Sequence, residues 1–287
     1  MLHGFKHIKK RTISFMLALL VLCTVAYPSS SEAASKKVSI YVVSKVISNE
    51  GNIEYTYNTN GLIKTCSRQN TKYYYKGKVL KKEVSSYTQN TGDQKSVTKY
   101  DKKGNVISIQ EINADGTIAS SSKYTYKYNS KGNKVSEKRK QSGTVTTIKY
   151  KYDKKGRLSK SIGNPYTDSY TYDKNNNIIK LLITATGHKA SDFSRVYNYK
   201  YDKYGYVTAI DIKESIDKAS QTTSKNYKYS RDKNGLITKC TIKVSGAEAS
   251  GKSSITKKYK YKKITVPKSY EKTILKQQYE KFFKVIY

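Results

Sequence analysis

Lysines recur at fixed places in this chain, and they are the residues whose type and spacing could do chemistry. One stands between two tyrosines at Lys127, Lys151, Lys200, Lys228 and Lys260, and Lys99 holds the same place where Thr98 replaces the first tyrosine. In an extended segment residues i and i+2 share a face, so each of these lysines points away from its flanking tyrosines. Equivalent lysines in successive antiparallel hairpins would lie about 10 Å apart, twice the strand spacing, which is about one Debye length at 0.1 M salt. Such a row is weakly self-repelling, and a linear polyanion could neutralise it. Thr56, Tyr74 and Thr171 interrupt it. The competing reading is a solvated face whose lysines keep strand edges from pairing.

Other reactive residue types are sparse or badly spaced. His188 is the one histidine after residue 7, so histidine triads and multi-histidine metal sites lack ligands. Asp101, Asp153, Asp173 and Asp202 fall at turns beside lysines. One carboxylate per turn does not supply the roughly six to eight oxygens of a calcium site. No glycine-rich phosphate loop is present. The expectation is a protein that is not an enzyme, with no catalytic residue, no metal and no cofactor. Cys66 and Cys240 each follow a glycine, Gly61 and Gly235, by the same short interval. They read either as a disulfide or as two small apolar side chains at one repeated buried position.

The elements that must position the lysines are repeated hairpins. The unit is Tyr-x-Tyr-(Asp/Asn)-x-x-Gly followed by an apolar pair, with copies at 55–61, 126–132, 150–156, 199–205 and, with an insertion, 227–235. Residues 98–104 lack the first tyrosine, residues 170–176 end in Asn176, and residues 73–77 are a shortened form. Asp or Asn opens a type I turn, and Gly closes it by accepting positive φ. This assigns structural turn roles to Gly61, Gly104, Gly132, Gly156, Gly205 and Gly235. Apolar pairs such as Leu62-Ile63 and Ile178-Ile179 start the returning strand.

Residues 150–158, YKYDKKGRL, resemble the tyrosine–aspartate repeat of the RHS/YD family, and the resemblance runs over roughly residues 53–263. It implies the family's β-sheet shell, which is built into bacterial toxins and surface proteins. The chain is far shorter than such shells and shows neither a toxin tip nor their self-cleaving core. The resemblance therefore leaves a carrier shell, or a fragment of an RHS/YD toxin system, as the alternative function.

Residues 1–34 read as a secretory signal peptide. Lys6, Lys9, Lys10 and Arg11 precede the apolar run 13–26, and Ser31-Glu32-Ala33 resembles a cleavage site. A retained anchor is the alternative, but the run is short of the ~20 residues of a membrane span. Leu22 before Cys23 is too bulky for a lipoprotein signal. The chain of 287 residues carries a formal charge of +35; residues 1–33 hold four basic groups and one acidic group, so a chain without them carries +32. Twenty-nine tyrosines stand against five phenylalanines and no tryptophan, which suits a sheet with one tyrosine-rich face. Residues 36–53 read as an opening hairpin turning at 49–52. The segments 89–95, 114–122, 184–194, 216–225 and 245–254 read as connections of variable length, on the side opposite the tight turns. Residues 269–286 have helical spacing with Ser269 as cap. That helix reads as a terminal cap or as a membrane-lying amphipathic element, and 283–287 could instead be a strand.

Together these features predict an all-β fold. It is an antiparallel hairpin meander of roughly sixteen to eighteen strands forming a twisted or rolled sheet, over residues 35–266, with a C-terminal helical cap over 267–287. The expected role is a secreted, non-enzymatic binding or structural protein of the bacterial surface, holding anionic cell-wall polymer or glycan through the lysine face. Nucleic acid matches the charge, but secretion argues against it as the native partner. No segment after the signal is apolar enough to span a bilayer as a helix. An outer-membrane barrel is disfavoured because lysine is costly on a lipid-facing strand.

Overall fold

Strand-forming tyrosine, valine, isoleucine and threonine alternate with lysine along most of the chain, and that alternation becomes strand throughout the computed structural model. The structure describes residues 36–89, 92–190, 192–217, 219–247 and 254–284; the signal segment 1–34 lies outside them. The strands, numbered in chain order, are β1 (Lys37–Ser48), β2 (Gly51–Tyr57), β3 (Ile63–Cys66), β4 (Thr71–Lys76), β5 (Val79–Gln89), β6 (Gly92–Tyr100), β7 (Val106–Ile112), β8 (Ile118–Tyr128) and β9 (Lys134–Gln141). They continue with β10 (Thr144–Tyr152), β11 (Leu158–Ile162), β12 (Tyr166–Tyr172), β13 (Ile178–Ala185), β14 (Phe193–Tyr201), β15 (Val207–Ile216), β16 (Ala219–Arg231), β17 (Ile237–Gly246) and β18 (Ser254–Pro267). A single 3-10 turn leads into one helix, α1 (Glu271–Phe282).

All eighteen strands belong to one sheet. Consecutive strands pair antiparallel, and β1 pairs with both β2 and β18. The expected rolled sheet is therefore closed through β1, a barrel in its strand connectivity. Closure satisfies the strand edges, which would otherwise present unpaired amides and carbonyls.

Several segments whose composition suggests connections are strand instead. Residues 118–122 lie in β8, 219–225 in β16 and 92–95 in β6. Asn113–Gly116 forms the same turn as the tyrosine repeats, with the Gly116 amide donating to the Asn113 carbonyl at 3.0 Å and the Asn113 amide donating to the Thr117 carbonyl at 2.9 Å. It sits at the other end of the strands from the repeat turns.

Two compact units divide the chain. Of the described residues, the first holds 36–64, 228–241 and 256–284. Its core is aliphatic, with Val42, Val43, Leu62, Ile63, Val266 and Ile274 all under 2% exposed. Helix α1 brings Ile274 into this core, and Gly61 stands so close that an added Cβ would lie 2.6 Å from Ile274 Cδ1 and from Val266 Cγ1. A bulge between Val43 and Lys45 interrupts the β1–β18 ladder. The Val43 amide donates instead to the buried Gln278 side chain at 2.8 Å. Gln277 accepts from the Ile63 amide at 3.1 Å, and Phe282 packs edge-on against Tyr55. The helix thus covers its own unit. It starts at Glu271 with Tyr270 as N-cap and no side-chain cap bond, so Ser269 does not cap it; residues 285–287 lie outside the described part.

The second unit holds the described residues within 65–227 and 242–255. Apart from Cys66 on β3, its most buried apolar side chains, Leu181, Tyr199, Val207, Ala209, Ile210 and Ile212, lie on β13–β15. Elsewhere in this unit most of the tyrosines that face the lysine row's opposite side are half-buried.

Candidate functional site

Most repeat turns are held by their acidic or amide residue; in the first, Asn58 Oδ1 is buried without a hydrogen-bond partner among the described residues, and the Leu62 amide donates to the Asn60 side chain at 3.2 Å instead. Asp153 Oδ1 accepts from the Lys155 and Arg157 amides, both at 2.9 Å, and Asp101, Asp173, Asp202 and Asp232 repeat the pattern. Asn129 makes the Asn133 contact with its side-chain oxygen. The structure places Gly61, Gly104, Gly132, Gly156, Gly205 and Gly235 at φ between +77° and +85°, and Asn176 takes the equivalent place at +66°. The next strand then leaves in register, so the faces of the hairpins match.

A tyrosine hydroxyl ties successive hairpins together. In the second unit Tyr152 donates to the Lys134 carbonyl, Tyr172 to Leu158 and Tyr201 to Ile178, each at 2.7 Å, and Tyr126 donates to Val106. In the first unit Tyr261 donates to Ile237 at 2.8 Å and Tyr57 to Val43 at 2.5 Å. In five of these six contacts the donor is the second tyrosine of the triplet. Apart from Val43, the acceptor lies two residues after the turn glycine or Asn176 of the preceding hairpin. Arg157 adds a link of the same sense: it pairs with Asp153 at 2.7 Å, sits over the Tyr172 ring and reaches Asn176 at 3.1 Å.

The two faces of the second unit differ in charge: most strand carboxylates lie on the tyrosine face, joined there by Arg139, Arg195 and Lys134 among others, and most lysines lie on the other. On the tyrosine face Glu111 accepts from Tyr87 and Ser96, Glu137 from Tyr150, Asp168 from Ser161, and Glu214 pairs with Arg195. Burial together with Glu137 pushes the Tyr126 and Tyr150 hydroxyls well above the ordinary tyrosine range, and burial with Glu83 does the same to Tyr100. Two strand carboxylates among the described residues of this unit share the lysine face: Asp93 on β6, paired with Thr88 and accepting from its hydroxyl at 2.7 Å, and Asp211 on β15, 3.8 Å from Lys200.

On the lysine face the sequence-named residues are all exposed: Lys99, Lys127, Lys151 and Lys200 in the second unit, and Lys228 and Lys260 in the first. Register adds lysines that the triplet motif does not mark. Lys123 is paired with Lys140, Thr125 with Lys138 and Lys127 with Ser136 across β8–β9. Thr147 is paired with Lys138 and Lys149 with Ser136 across β9–β10, and Lys151 with Lys160 across β10–β11. Lys123, Lys127, Lys138, Lys140, Lys149, Lys151 and Lys160 therefore share one face of four adjacent strands. All are exposed except the half-buried Lys160. The period-two spacing of 123–127, 138–140 and 149–151 was readable beforehand; that these runs lie side by side was not.

Residues outside this face offer less. His188 is exposed, with Nδ1 3.9 Å from the Asp192 carboxylate. Among the described residues no group of three or more His, Cys, Asp or Glu side chains could hold a metal ion. Cys66 and Cys240 are both buried free thiols, and burial pushes the Cys240 thiol up to about 11. No helix among the described residues is long and apolar enough to cross a membrane.

No family model and no curated protein matches the chain, so no matched family carries the RHS/YD resemblance. Among solved structures the chain is similar to a porin-like protein from Bacteroides vulgatus, at 11% identity and TM-score 0.41 over 77% of this chain and 99% of that one. It is similar to a porin-like protein from Bacteroides uniformis, at 13% identity and TM-score 0.36 over 78% of this chain and 96% of that one. It is also similar to TcdB2-TccC3-TEV, at 12% identity and TM-score 0.32 over 71% of this chain and 13% of that one.

Proposed function

We propose that the protein is a secreted, non-enzymatic binder of the bacterial surface that holds anionic cell-wall polymer or glycan on its lysine face. One observation carries this reading. In the second unit the strand carboxylates, Asp93 and Asp211 excepted, lie on the tyrosine face, while the other face presents exposed lysines. Among the described residues no ion pair engages Lys99, Lys127 or Lys151. A surface of one sign attracts polyanions from a distance and releases counter-ions when it binds them.

The test is retention of the full chain on purified cell walls, with and without their anionic polymers stripped, across a salt series. Retention should fall on stripping and with rising salt, and Lys127→Gln/Lys151→Gln/Lys200→Gln should flatten the salt dependence. Retention indifferent to stripping, salt and the triple substitution would overturn the reading.

A further inference from the structure

We propose that the anion site is the β8–β11 lysine patch, and that its ligand is a phosphodiester-linked polymer without bases, of the polyol-phosphate kind. This rests on the polyanion reading above and adds a place and a ligand chemistry to it.

The patch is denser than a solubilising surface requires. Lys123 is directly paired with Lys140, and Lys151 with Lys160. Directly opposed residues on a sheet have Cβ atoms about 5 Å apart, and like charges there are destabilising. Interspersed charges of both signs would keep the surface soluble without that repulsion. Edge protection does not account for it either, since β8, β9, β10 and β11 are each paired on both sides. The repulsion is relieved if an anion with several successive charges lies across the patch.

The side chains select among polyanions. Carboxylates are best matched by the guanidinium fork, whereas the ammonium is a point charge that serves phosphate well. The patch contains no arginine. The nearby Arg139 is opposite Tyr124 on the other face, and Arg157 is held by Asp153. Single-stranded nucleic acid is bound by stacking bases on aromatic rings, and the tyrosines of β8 and β10, Tyr124, Tyr126, Tyr128, Tyr150 and Tyr152, all belong to the opposite face. Four strands at about 4.8 Å spacing span about 14 Å, enough for several consecutive charged groups.

The test uses the full chain and fluorescence anisotropy over a salt series with three probes of matched charge: poly(glycerol phosphate), hyaluronate and a single-stranded oligonucleotide. The variant is Lys123→Gln/Lys138→Gln/Lys140→Gln/Lys160→Gln; the control, on the same face outside the patch, is Lys72→Gln/Lys82→Gln/Lys180→Gln/Lys213→Gln. With about 0.7 counter-ions released per contact on a single-stranded polyanion, the patch variant should reduce the slope of log K against log salt for poly(glycerol phosphate) by about 3, and the control by less than about 1. Thermal melting of the patch variant should not fall, because repulsion is removed. A slope lost in the control but kept in the patch variant overturns the placement and leaves polyanion binding standing. Equal or tighter binding of hyaluronate or the oligonucleotide overturns the ligand class. Absence of binding to all three probes, with no retention on native walls, overturns both readings.

Discussion

The Tyr152 hydroxyl donates to the Lys134 carbonyl at 2.7 Å, joining the third strand of one hairpin pair to the bulged start of the strand before it. The β9–β10 ladder ends at Ser136, paired with Lys149, and the Tyr152 phenol reaches beyond that end to the Lys134 carbonyl. The repeat therefore needs tyrosine, rather than any aromatic residue, at the second triplet position.

Tyr152→Phe removes that donor and leaves a part-buried carbonyl without it. The expected loss is about 1–2 kcal/mol of stability, read by chemical denaturation. Tyr166→Phe, at an exposed ring, should leave the midpoint unchanged.

Asp101 is held below the ordinary carboxylate range: burial pushes it up, but bonds from the Asn105 side chain and from the Asn105 and Lys103 amides outweigh that. A lowered folded value means that its contribution is complete above about pH 4, the unfolded value, and is lost as pH falls through the folded value. Asp101→Ala should lower stability at pH 7 by about 1–3 kcal/mol, with the gap to the parent narrowing in acid. Asp101→Asn should keep most of the stability, as Asn129 does in its own turn. Melting temperatures from pH 2 to 7 check all three.

Gly61→Ala and Gly156→Ala separate two demands on a turn glycine. Both positions have positive φ, but Gly156 has open space around it, whereas at Gly61 a Cβ meets Ile274 and Val266 at 2.6 Å. The alanine at 156 should cost about 1 kcal/mol from backbone strain. The alanine at 61 should cost about 3 kcal/mol, because the packed core must also shift. Equal losses in equilibrium unfolding would contradict the close packing of α1 on this turn.

Tyr150 sits beside Glu137, and burial, then the Glu137 charge and hydrogen bond, raise its hydroxyl well above the ordinary value. A raised folded value gives a contribution that is complete below about pH 10 and is lost as pH rises through the folded value. Alkaline titration followed at 295 nm should show tyrosines ionising late, together with unfolding. Glu137→Gln should bring the onset down in pH without returning it to that of free tyrosine, since burial is the larger cause.

Local chemistry was legible where the motif was complete. Tyr-x-Tyr-(Asp/Asn)-x-x-Gly marks the turns at Gly61, Gly132, Gly156 and Gly205 because an Asx residue and a positive-φ residue are both short-range requirements. The Asn113–Gly116 turn escapes the motif because Gln110-Glu111-Ile112 precedes it in place of the tyrosine triplet. The helix was expected from periodicity, but its start was placed at Ser269; the last chain before it is fixed by β18, which runs to Pro267 and pairs with Lys37.

The sequence by itself determined the all-β class, the hairpin unit and the separation of lysine from tyrosine, because each follows from the two-residue period of a strand and from turn chemistry within a few bonds. Only the tertiary structure decided that β1 pairs with β18 to close the sheet, and that Lys123, Lys138, Lys140, Lys149 and Lys160 join Lys127 and Lys151 in one patch. Both depend on inter-strand register, and register is set by bulges, by strand lengths and by the pairing of distant segments, none of which has a signature inside a single repeat.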